Sequence, residues 1–212
     1  MDGTAINAGQ DDSLAIFDVQ RVDMQFSIAS DFVAAQVANN TLILALQTGR
    51  IMRIDLESPS DIDDIDLPKK PSEIGTIRRM FIDPTASHLI ISTNLGQNYY
   101  LHTQSRTPKT LSRLRDVLID CVSWNPSQPT ASTREILIGA ADGNIYETYL
   151  ELSQQFYRGD EKYVKNVYKT EAPVCSIWTG TQSIETCHPL TATVFGQRQP
   201  DCGSFCASAN GK

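Results

Sequence analysis

Along most of this chain, short apolar runs are separated by turn-forming residues, and within several runs apolar and polar positions alternate. In Arg50–Leu56 the even positions from Met52 to Leu56 are apolar, whereas Arg53 and Asp55 are charged. A period of two places alternate side chains on opposite faces of a β-strand. We therefore predict an amphipathic strand here, with its even positions against a core and its charged positions in water.

The same reasoning predicts an all-β chain. Asparagine and glycine between the runs tolerate the positive φ that tight hairpin turns require. The stretch Ser58–Pro71 is rich in proline and acidic residues, so we predict a loop that contains one short edge strand. With the amphipathic strand Ile51–Leu56, the predicted strands are Leu14–Phe26, Phe32–Val37, Thr41–Leu46, Ile77–Ile82, Leu89–Ser92, Tyr99–His102, Val117–Trp124, Ile136–Gly139, Ile145–Leu150, Lys162–Lys169 and Val174–Trp178.

Three strand–turn–strand units repeat along the chain, each built around a glycine. These glycines are Gly49, Gly96 and Gly143, and successive ones are 47 residues apart. A period of about 40 to 50 residues with this content is typical of four-stranded propeller blades. We expect the three glycines to form blade hairpin turns, and Trp124 and Trp178 to pack between blades.

The repeat weakens toward the end of the chain. Val174–Trp178 can open a fourth unit, but Pro189 falls where its second strand is expected and no glycine follows at the repeat position. Because a closed propeller needs about four to eight blades, we predict an incomplete, WD40-like β-propeller over residues 14–178. It would have three four-stranded blades and the start of a fourth, between a disordered tail (1–13) and an irregular, disordered or non-native tail (179–212).

An incomplete propeller has two open ends. Each blade buries its faces against its neighbours, so the outer faces of the first and last blades are expected to expose apolar surface and strand edges. We therefore expect the isolated chain to be poorly soluble.

The composition limits which cellular compartments and which kinds of partner are possible. Of the 212 residues 41% are hydrophobic, which is enough for a core, and the net charge of −7 argues against a surface built to bind nucleic acid. The first residues lack a signal peptide, and no apolar run approaches the roughly 18 to 20 residues that span a bilayer. Five cysteines without framework spacing suit a reducing compartment. We expect a cytoplasmic protein whose membrane association is peripheral.

Six segments carry a more specific resemblance. They are Arg50–Leu56, Ile65–Pro68, Met80–Pro84, Ser87–Ile90, Asn98–Leu101 and Ile136–Glu147. Through them, and from about Phe17 to Trp178, the chain resembles the amino-terminal propeller of the Pep3/Vps18/deep orange family of vacuolar-sorting proteins.

The resemblance implies a non-enzymatic function in membrane tethering. Members of this family belong to the core shared by the HOPS and CORVET complexes, which bridge endosomal or vacuolar membranes before SNARE-driven fusion. The implied partners are the other subunits of these complexes and, through the complexes, SNAREs or Rab GTPases, on late endosomes and the vacuole. Family members continue into a helical solenoid and a RING zinc domain that this sequence lacks, so we expect a fragment from a truncated or mis-spliced gene.

Two groups of residues could be considered as metal sites. Cys187, His188, Cys202 and Cys206 supply four soft ligands for zinc, but their spacing lacks the paired knuckles of structural zinc sites. The acidic stretch Asp55–Asp66 offers oxygen ligands for calcium, but it lacks the glycine of an EF-hand and alternates acids with isoleucine, as a solvated edge strand does. We predict neither a metal nor a cofactor.

No residue is predicted to be catalytic. The histidines His88, His102 and His188 are the only side chains whose ordinary pKa lies near neutral, and none of them falls in a catalytic motif. A propeller-fold enzyme, or an unrelated WD-like scaffold, is the alternative to the tethering function.

Basic side chains cluster in the second unit and in the loop that leaves it, although the chain is acidic overall. A solvated surface is the simplest explanation, and contact with an acidic partner or an anionic lipid is the functional one. The predicted contact residues are Arg106, Lys109, Arg113 and Arg115, with Lys69, Lys70, Arg78 and Arg79 in the same region.

Overall fold

The computed structural model describes residues 30–127, 130–152, 161–181, 190–196 and 205–208. Within these ranges, fifteen strands form four antiparallel sheets that follow one another along the chain. Sheets 1, 2 and 3 have four strands each, side by side in sequence order, and sheet 4 has three. The prediction of three four-stranded blades and the start of a fourth is confirmed.

Sheet 1 begins with the hairpin of β1 and β2. The turn between its first two strands is Asn39–Asn40, and both asparagines have the positive φ of a primed hairpin turn. Its last strand is the edge strand predicted within the acidic stretch. The four strands are β1 (Phe32–Ala38), β2 (Thr41–Leu46), β3 (Arg50–Asp55) and β4 (Ile62–Asp66).

A one-turn helix, α1 (Pro71–Ile74), connects sheet 1 to sheet 2, and Pro71 suits its first turn because that position needs no amide hydrogen. Sheet 2 consists of β5 (Ile77–Ile82), β6 (His88–Thr93), β7 (Asn98–His102) and the two-residue β8 (Lys109–Thr110). Sheet 3 consists of β9 (Ile119–Ser123), β10 (Ser132–Ala140), β11 (Asn144–Glu151) and β12 (Glu161–Lys169).

Sheet 4 extends beyond the point where the sequence pattern weakens. Its strands are β13 (Val174–Thr181), β14 (Leu190–Gly196) and β15 (Phe205–Ser208), paired in that order. Neither β14 nor β15 was predicted from the sequence, in which Pro189 breaks the pattern of the fourth unit; β14 starts one residue after that proline. The non-native character of the tail stays a prediction. The strand predicted at Leu14–Phe26 and the tail before it lie outside the described residues.

The hydrophobic core consists of clusters shared between consecutive sheets. Sheets 1 and 2 share the cluster that contains Ile51 and Tyr99, sheets 2 and 3 share the cluster of Tyr100 and Ile138, and sheets 3 and 4 share that of Cys121. The sheets therefore stack face to face, as the blades of a propeller do.

Both faces of β3 are buried along its middle, which corrects the prediction that Arg53 faces water. Ile51 is buried against sheet 2, and Met52 and Ile54 are buried on the opposite face. Arg53 lies on the face of Ile51 and is largely buried, because its guanidinium pairs with Asp63 on β4. Asp55, the other residue predicted to face water, is exposed at the end of the strand.

Two of the glycine turns pack tightly against the segment that enters the following sheet. Gly96 and Gly143 have φ angles of 70° and 84°, which L side chains rarely adopt. A Cβ added to Gly96 would lie 2.7 Å from the Cα of Asp116, and one added to Gly143 would lie 2.4 Å from the carbonyl oxygen of Thr170. The amides of Asp116 and Thr170 donate to the carbonyls of the same two glycines, at 3.0 and 2.8 Å.

The third glycine turn makes a looser version of this contact. Gly49 has φ of 86°, and a Cβ there would lie 3.0 Å from the ring of Pro71, a residue with no amide hydrogen to donate. A hydrogen bond therefore joins the hairpin turn to the link in the second and third units, and close approach alone does so in the first.

Candidate interaction surfaces

The loops of the sheets lie at two opposite ends of the strands. Since neighbouring strands are antiparallel and follow sequence order, the glycine turns lie at the same end as the links to the next sheet. We call this end the glycine-turn face. The turns between first and second strands, and the loops between third and fourth strands, lie at the other end, which we call the cleft face.

The cleft face holds an acidic cleft of about 410 Å³ beside sheet 1. Its walls come from the β1–β2 hairpin, from β3, from the β3–β4 loop and from β4, and sheet 2 contributes one residue. The lining residues are Asn39, Asn40, Thr41, Arg53, Asp55, Glu57, Asp61, Asp63 and Thr103. Four carboxylates against one guanidinium make the lining acidic and rich in hydrogen-bond acceptors.

Two arginines converge on Asp63 in the wall of this cleft. Arg53, its cross-strand neighbour, donates from Nη2 at 2.6 Å and from Nε at 3.2 Å. Arg106, from the β7–β8 loop of sheet 2, also pairs with the carboxylate. The hydrogen bond from Arg53 holds the pKa of Asp63 below its usual range, although desolvation acts in the opposite direction. Asp63 is therefore ionised near neutral pH and links the two sheets.

The structure separates the four predicted basic contact residues. Arg106 lies on the cleft face, where it is engaged by Asp63, and Lys109 opens strand β8. Arg113 lies in the 3-10 turn that follows β8, and Arg115 ends that turn, so both are on the glycine-turn face and exposed. Arg113 and Arg115 therefore share one face of the stacked sheets, and the contact function of all four residues stays a prediction.

Two further basic residues of the predicted group join sheets 2 and 3. Arg78 donates to the carboxylate of Asp120 at 2.6 Å, and Arg79 approaches the same carboxylate at 3.4 Å. These guanidinium groups are engaged in an intramolecular contact, which the charge pattern of the sequence could not distinguish from an exposed patch.

An apolar groove of about 350 Å³ lies on the cleft face between sheets 3 and 4. Pro84 and Pro126 border it, and Trp124 and Trp178 line it. Trp124 packs in the cluster between sheets 2 and 3, as predicted. Trp178 is 61% exposed, so the prediction that it packs between blades was wrong. Its position on the outer side of β13, beyond the face that meets sheet 3, explains the exposure.

The two described histidines are buried in sheet 2 and serve packing. His88 Nδ1 is 2.8 Å from the hydroxyl of Tyr100, and its backbone amide donates to Asp83 at 2.6 Å. His102 Nε2 is 2.7 Å from the carbonyl oxygen of Thr130, a contact between sheets 2 and 3. Neither imidazole faces the acidic cleft or the apolar groove.

The cysteines of the described region differ in their surroundings. Cys121 is buried, and desolvation raises the pKa of its thiol to about 12. Cys175, at the start of β13, is exposed. The four residues considered for zinc, Cys187, His188, Cys202 and Cys206, have no described side chain.

No helix within the described ranges is long and apolar enough to cross a membrane. The helical residues there amount to α1 and the single 3-10 turn after β8.

Comparison with known proteins identifies relatives of one kind. A family model described as the Pep3/Vps18/deep orange beta-propeller domain matches residues 15–194. The chain is 31% identical over 196 residues to vacuolar protein sorting-associated protein 18 homolog of Danio rerio. It is 34% identical over 137 residues to vacuolar sorting protein 18 of Arabidopsis thaliana. It is 31% identical over 153 residues to vacuolar membrane protein pep3 of Schizosaccharomyces pombe. These matches cover 89%, 63% and 72% of this chain but 20%, 13% and 16% of the relatives.

Solved structures share the fold at low sequence identity. The RRP9 WD40 repeats superpose with a TM-score of 0.55 at 12% identity, covering 85% of this chain and 52% of that one. The Dos1 propeller superposes with a TM-score of 0.53 at 12% identity, covering 80% of this chain and 43% of that one. These likenesses concern the propeller fold alone.

Proposed function

Because this chain belongs to the Pep3/Vps18/deep orange beta-propeller family, we propose that it acts in vacuolar protein sorting as a non-enzymatic interaction module. The observation that carries the proposal is the family match over residues 15–194, which spans all three complete sheets and enters sheet 4. Relatives in an animal, a plant and a yeast bear vacuolar-sorting or vacuolar-membrane names.

The geometry suits a module that displays loops on a stiff support. Each sheet is joined to the next by a shared core cluster and by side-chain contacts such as Arg78 with Asp120. The loops at both ends of the strands then keep fixed relative positions. Because these loops need little further ordering when a partner binds, the entropic cost of binding is small.

At a finer level, the partners are the other subunits of the HOPS and CORVET tethering complexes, and SNAREs or Rab GTPases are reached through these complexes. The site of action is the cytoplasmic surface of the late endosome and the vacuole, with peripheral membrane association. The resemblance of the repeats and the vacuolar-membrane name of the yeast relative support this assignment.

A propeller enzyme is the competing possibility. The buried, hydrogen-bonded positions of His88 and His102 argue for the interaction module, because a general base has to reach its substrate. Asp63 is likewise committed to Arg53 and Arg106. Fold alone does not decide between the two functions.

The proposal is tested in Schizosaccharomyces pombe with a chimera of its pep3 protein. Residues 15–194 replace the matching region of full-length pep3, and vacuole morphology, retention of a vacuolar hydrolase and co-purification of the tethering-complex subunits are measured. We expect the chimera to support all three. A Gly96→Val chimera, with its hairpin turn disrupted, is the matched control and should support none.

A chimera that accumulates to the normal level, yet neither retains the hydrolase nor co-purifies the subunits, contradicts the proposal. Retention without co-purification would support sorting and contradict the assignment to the tethering complex.

A further inference from the structure

Strand β10 of sheet 3 contains a β-bulge near the cleft face. The three steps from Ser132 to Glu135 on β10 run beside only two steps on β11, from Glu151 to Tyr149, so β10 carries one extra residue there. The pairing of β9 with β10 ends before it reaches this part of the strand. The bulge therefore lies at the margin of the sheet, where β11 is its only paired neighbour among the described strands.

A buried threonine fixes the backbone of the bulge. Thr133 is fully buried, and its hydroxyl oxygen accepts a hydrogen bond from the amide of Leu150 at 3.0 Å. The same hydroxyl group donates to the carbonyl oxygen of Arg134 at 2.7 Å. These bonds replace the ladder contacts that the extra residue interrupts, so the conformation at position 134 is determined by its neighbours.

That conformation is an unfavourable one for an arginine. Arg134 has a φ of 52°, in the left-handed region that is costly for side chains with a Cβ and open to glycine. The other described non-glycine residues with positive φ lie in turns or links, and Arg134 alone among them lies inside a strand; the others are Asn39, Asn40, Ala86 and Asp116. This position therefore holds an arginine although its backbone favours glycine, which is the kind of local strain that accompanies functional sites.

The side chain of Arg134 is available for a contact. It is exposed, and its guanidinium makes no hydrogen bond or ion pair with the described residues. Arginines elsewhere in the described ranges do pair with aspartates, and these are Arg50, Arg53, Arg78, Arg79 and Arg106. Guanidinium groups pair with carboxylates through two parallel hydrogen bonds, and arginine is enriched among the residues that dominate binding at protein interfaces.

We propose that Arg134 is a contact residue for an acidic segment of a protein partner, an inference that rests on the proposed function as an interaction module. The charges around it exclude a denser anion. Glu135, the next residue, is exposed, and the same face of the sheets carries the carboxylates of Asp55, Glu57 and Asp61. These carboxylates repel nucleic acid and anionic membranes, whereas a single carboxylate of a protein side chain can reach the guanidinium.

The proposal predicts opposite effects of one substitution on stability and on binding. In urea unfolding of the full 212-residue chain, followed by tryptophan fluorescence, Arg134→Gly should raise the midpoint by roughly 0.3 M because the strain is removed. Arg134→Asn, which also tolerates a left-handed φ, should not lower the midpoint. Arg115→Gly is the matched control: Arg115 has a φ of −62°, so its replacement by the more flexible glycine should lower the midpoint.

Binding is measured as recovery of the tethering-complex subunits with the pep3 chimera. We expect Arg134→Gly and Arg134→Asn to reduce recovery about tenfold, because the partner's carboxylate loses its guanidinium. Lys165→Gln removes an exposed charge from the same sheet and should leave recovery unchanged. Since the chain is expected to be at least as stable in both Arg134 variants, misfolding does not explain such a loss.

Three results would overturn the proposal. One is normal recovery in both Arg134 variants, which leaves the proposed function intact; failure of the unsubstituted chimera to recover any subunit contradicts the proposed function as well. Another is a midpoint that falls in both variants, because position 134 is then not strained. The third is weaker binding of the Arg134→Gly chain to phosphatidylserine vesicles, which would assign Arg134 to a membrane contact.

Discussion

The guanidinium of Arg78 on β5 reaches the carboxylate of Asp120 on β9 at 2.6 Å and so joins sheet 2 to sheet 3. A second nitrogen of Arg78 donates to the carbonyl oxygen of Ile119 at 3.1 Å, which fixes the orientation of the guanidinium plane. The side chains are 31% and 11% exposed, so the pair is better shielded from solvent than an ordinary surface ion pair.

The link between Arg78 and Asp120 should be measurable as a coupling energy. In a double-mutant cycle with Arg78→Met and Asp120→Asn, we expect a coupling of about 1 to 2 kcal/mol in urea unfolding. The control is the cycle for Arg50 and Asp64, whose side chains are 49% and 51% exposed. Solvent screening should reduce that coupling to about 0.5 kcal/mol or less. Equal values for the two cycles would contradict the bridging contribution of Asp120.

The glycine turns should tolerate alanine to different degrees. Gly96→Ala places its Cβ 2.7 Å from the backbone of Asp116, whereas Gly49→Ala meets only the ring of Pro71, at 3.0 Å. Both variants adopt a left-handed φ at about 1 to 2 kcal/mol, and Gly96→Ala adds overpacking of about 1 to 3 kcal/mol. Urea unfolding followed by tryptophan fluorescence compares them. A Gly49→Ala variant at least as destabilised as Gly96→Ala would count against the tight contact.

The stability contributed by Asp63 should depend on pH. Its pKa is lower in the folded chain than the ordinary value of 3.8, so the ionised form stabilises the fold. Relative to Asp63→Asn, the unsubstituted chain should gain about 1 kcal/mol at pH 7 and at pH 5. The gain should be lost as the pH falls below the ordinary pKa and through the lowered one. Urea titrations at pH 7, 5 and 3 measure it, and a gain that grows on acidification would refute the assignment.

Charge reversal at the glycine-turn face tests the basic contact surface. If Arg113 and Arg115 contact an acidic partner or an anionic membrane, Arg113→Glu/Arg115→Glu should weaken binding to tethering-complex subunits or to phosphatidylserine vesicles about tenfold at low salt. Lys165→Glu/Lys169→Glu makes the same charge change on β12 and serves as the control. Unchanged binding at low salt in the first variant would remove this surface from consideration.

Cys121 and Cys175 should react at different rates. Burial raises the pKa of Cys121 to about 12, so little thiolate is present at pH 8, and the side chain is also inaccessible. In a chain with Cys187, Cys202 and Cys206 replaced by serine, iodoacetamide should alkylate Cys175 and leave Cys121 unmodified until urea is added. Peptide mass spectrometry identifies the site. Rapid alkylation of Cys121 in the folded chain would contradict its burial.

Much of the fold could be predicted because its turns have distinctive chemistry. Glycine at a left-handed φ is nearly obligatory where a backbone approaches as closely as Asp116 approaches Gly96, so these turns stand out in the sequence. The two-residue strand β8 cannot be recognised in the sequence. It is a strand because it pairs with Tyr99 and Tyr100 of β7, and not because of its own side chains. Strand β14 was missed for a similar reason, since Pro189 precedes the strand and the repeat spacing does not extend that far.

The candidate surfaces could be predicted less well, because the sequence position of a charged residue does not show which residue it pairs with in the fold. Arg106 and Arg115 look equivalent in the sequence and both are exposed, yet Arg106 pairs with Asp63 of another sheet, whereas Arg115 lies at the opposite end of the strands. The pairing of Arg53 with Asp63 follows from the β3–β4 register, which single-sequence patterns do not specify. The exposure of Trp178 depends on where the stack of sheets ends.

The contact between each glycine turn and the following link has a consequence for synthesis on the ribosome. The turn at Gly96 emerges before Asp116, about twenty residues later, and the turn at Gly143 emerges before Thr170. Until those residues leave the exit tunnel, the carbonyl oxygens of the two glycines lack the donors that the finished chain provides. Sheets 2 and 3 therefore gain this hydrogen bond only when the link to the next sheet has been synthesised, and a pause placed just after their fourth strand would leave the turn without it.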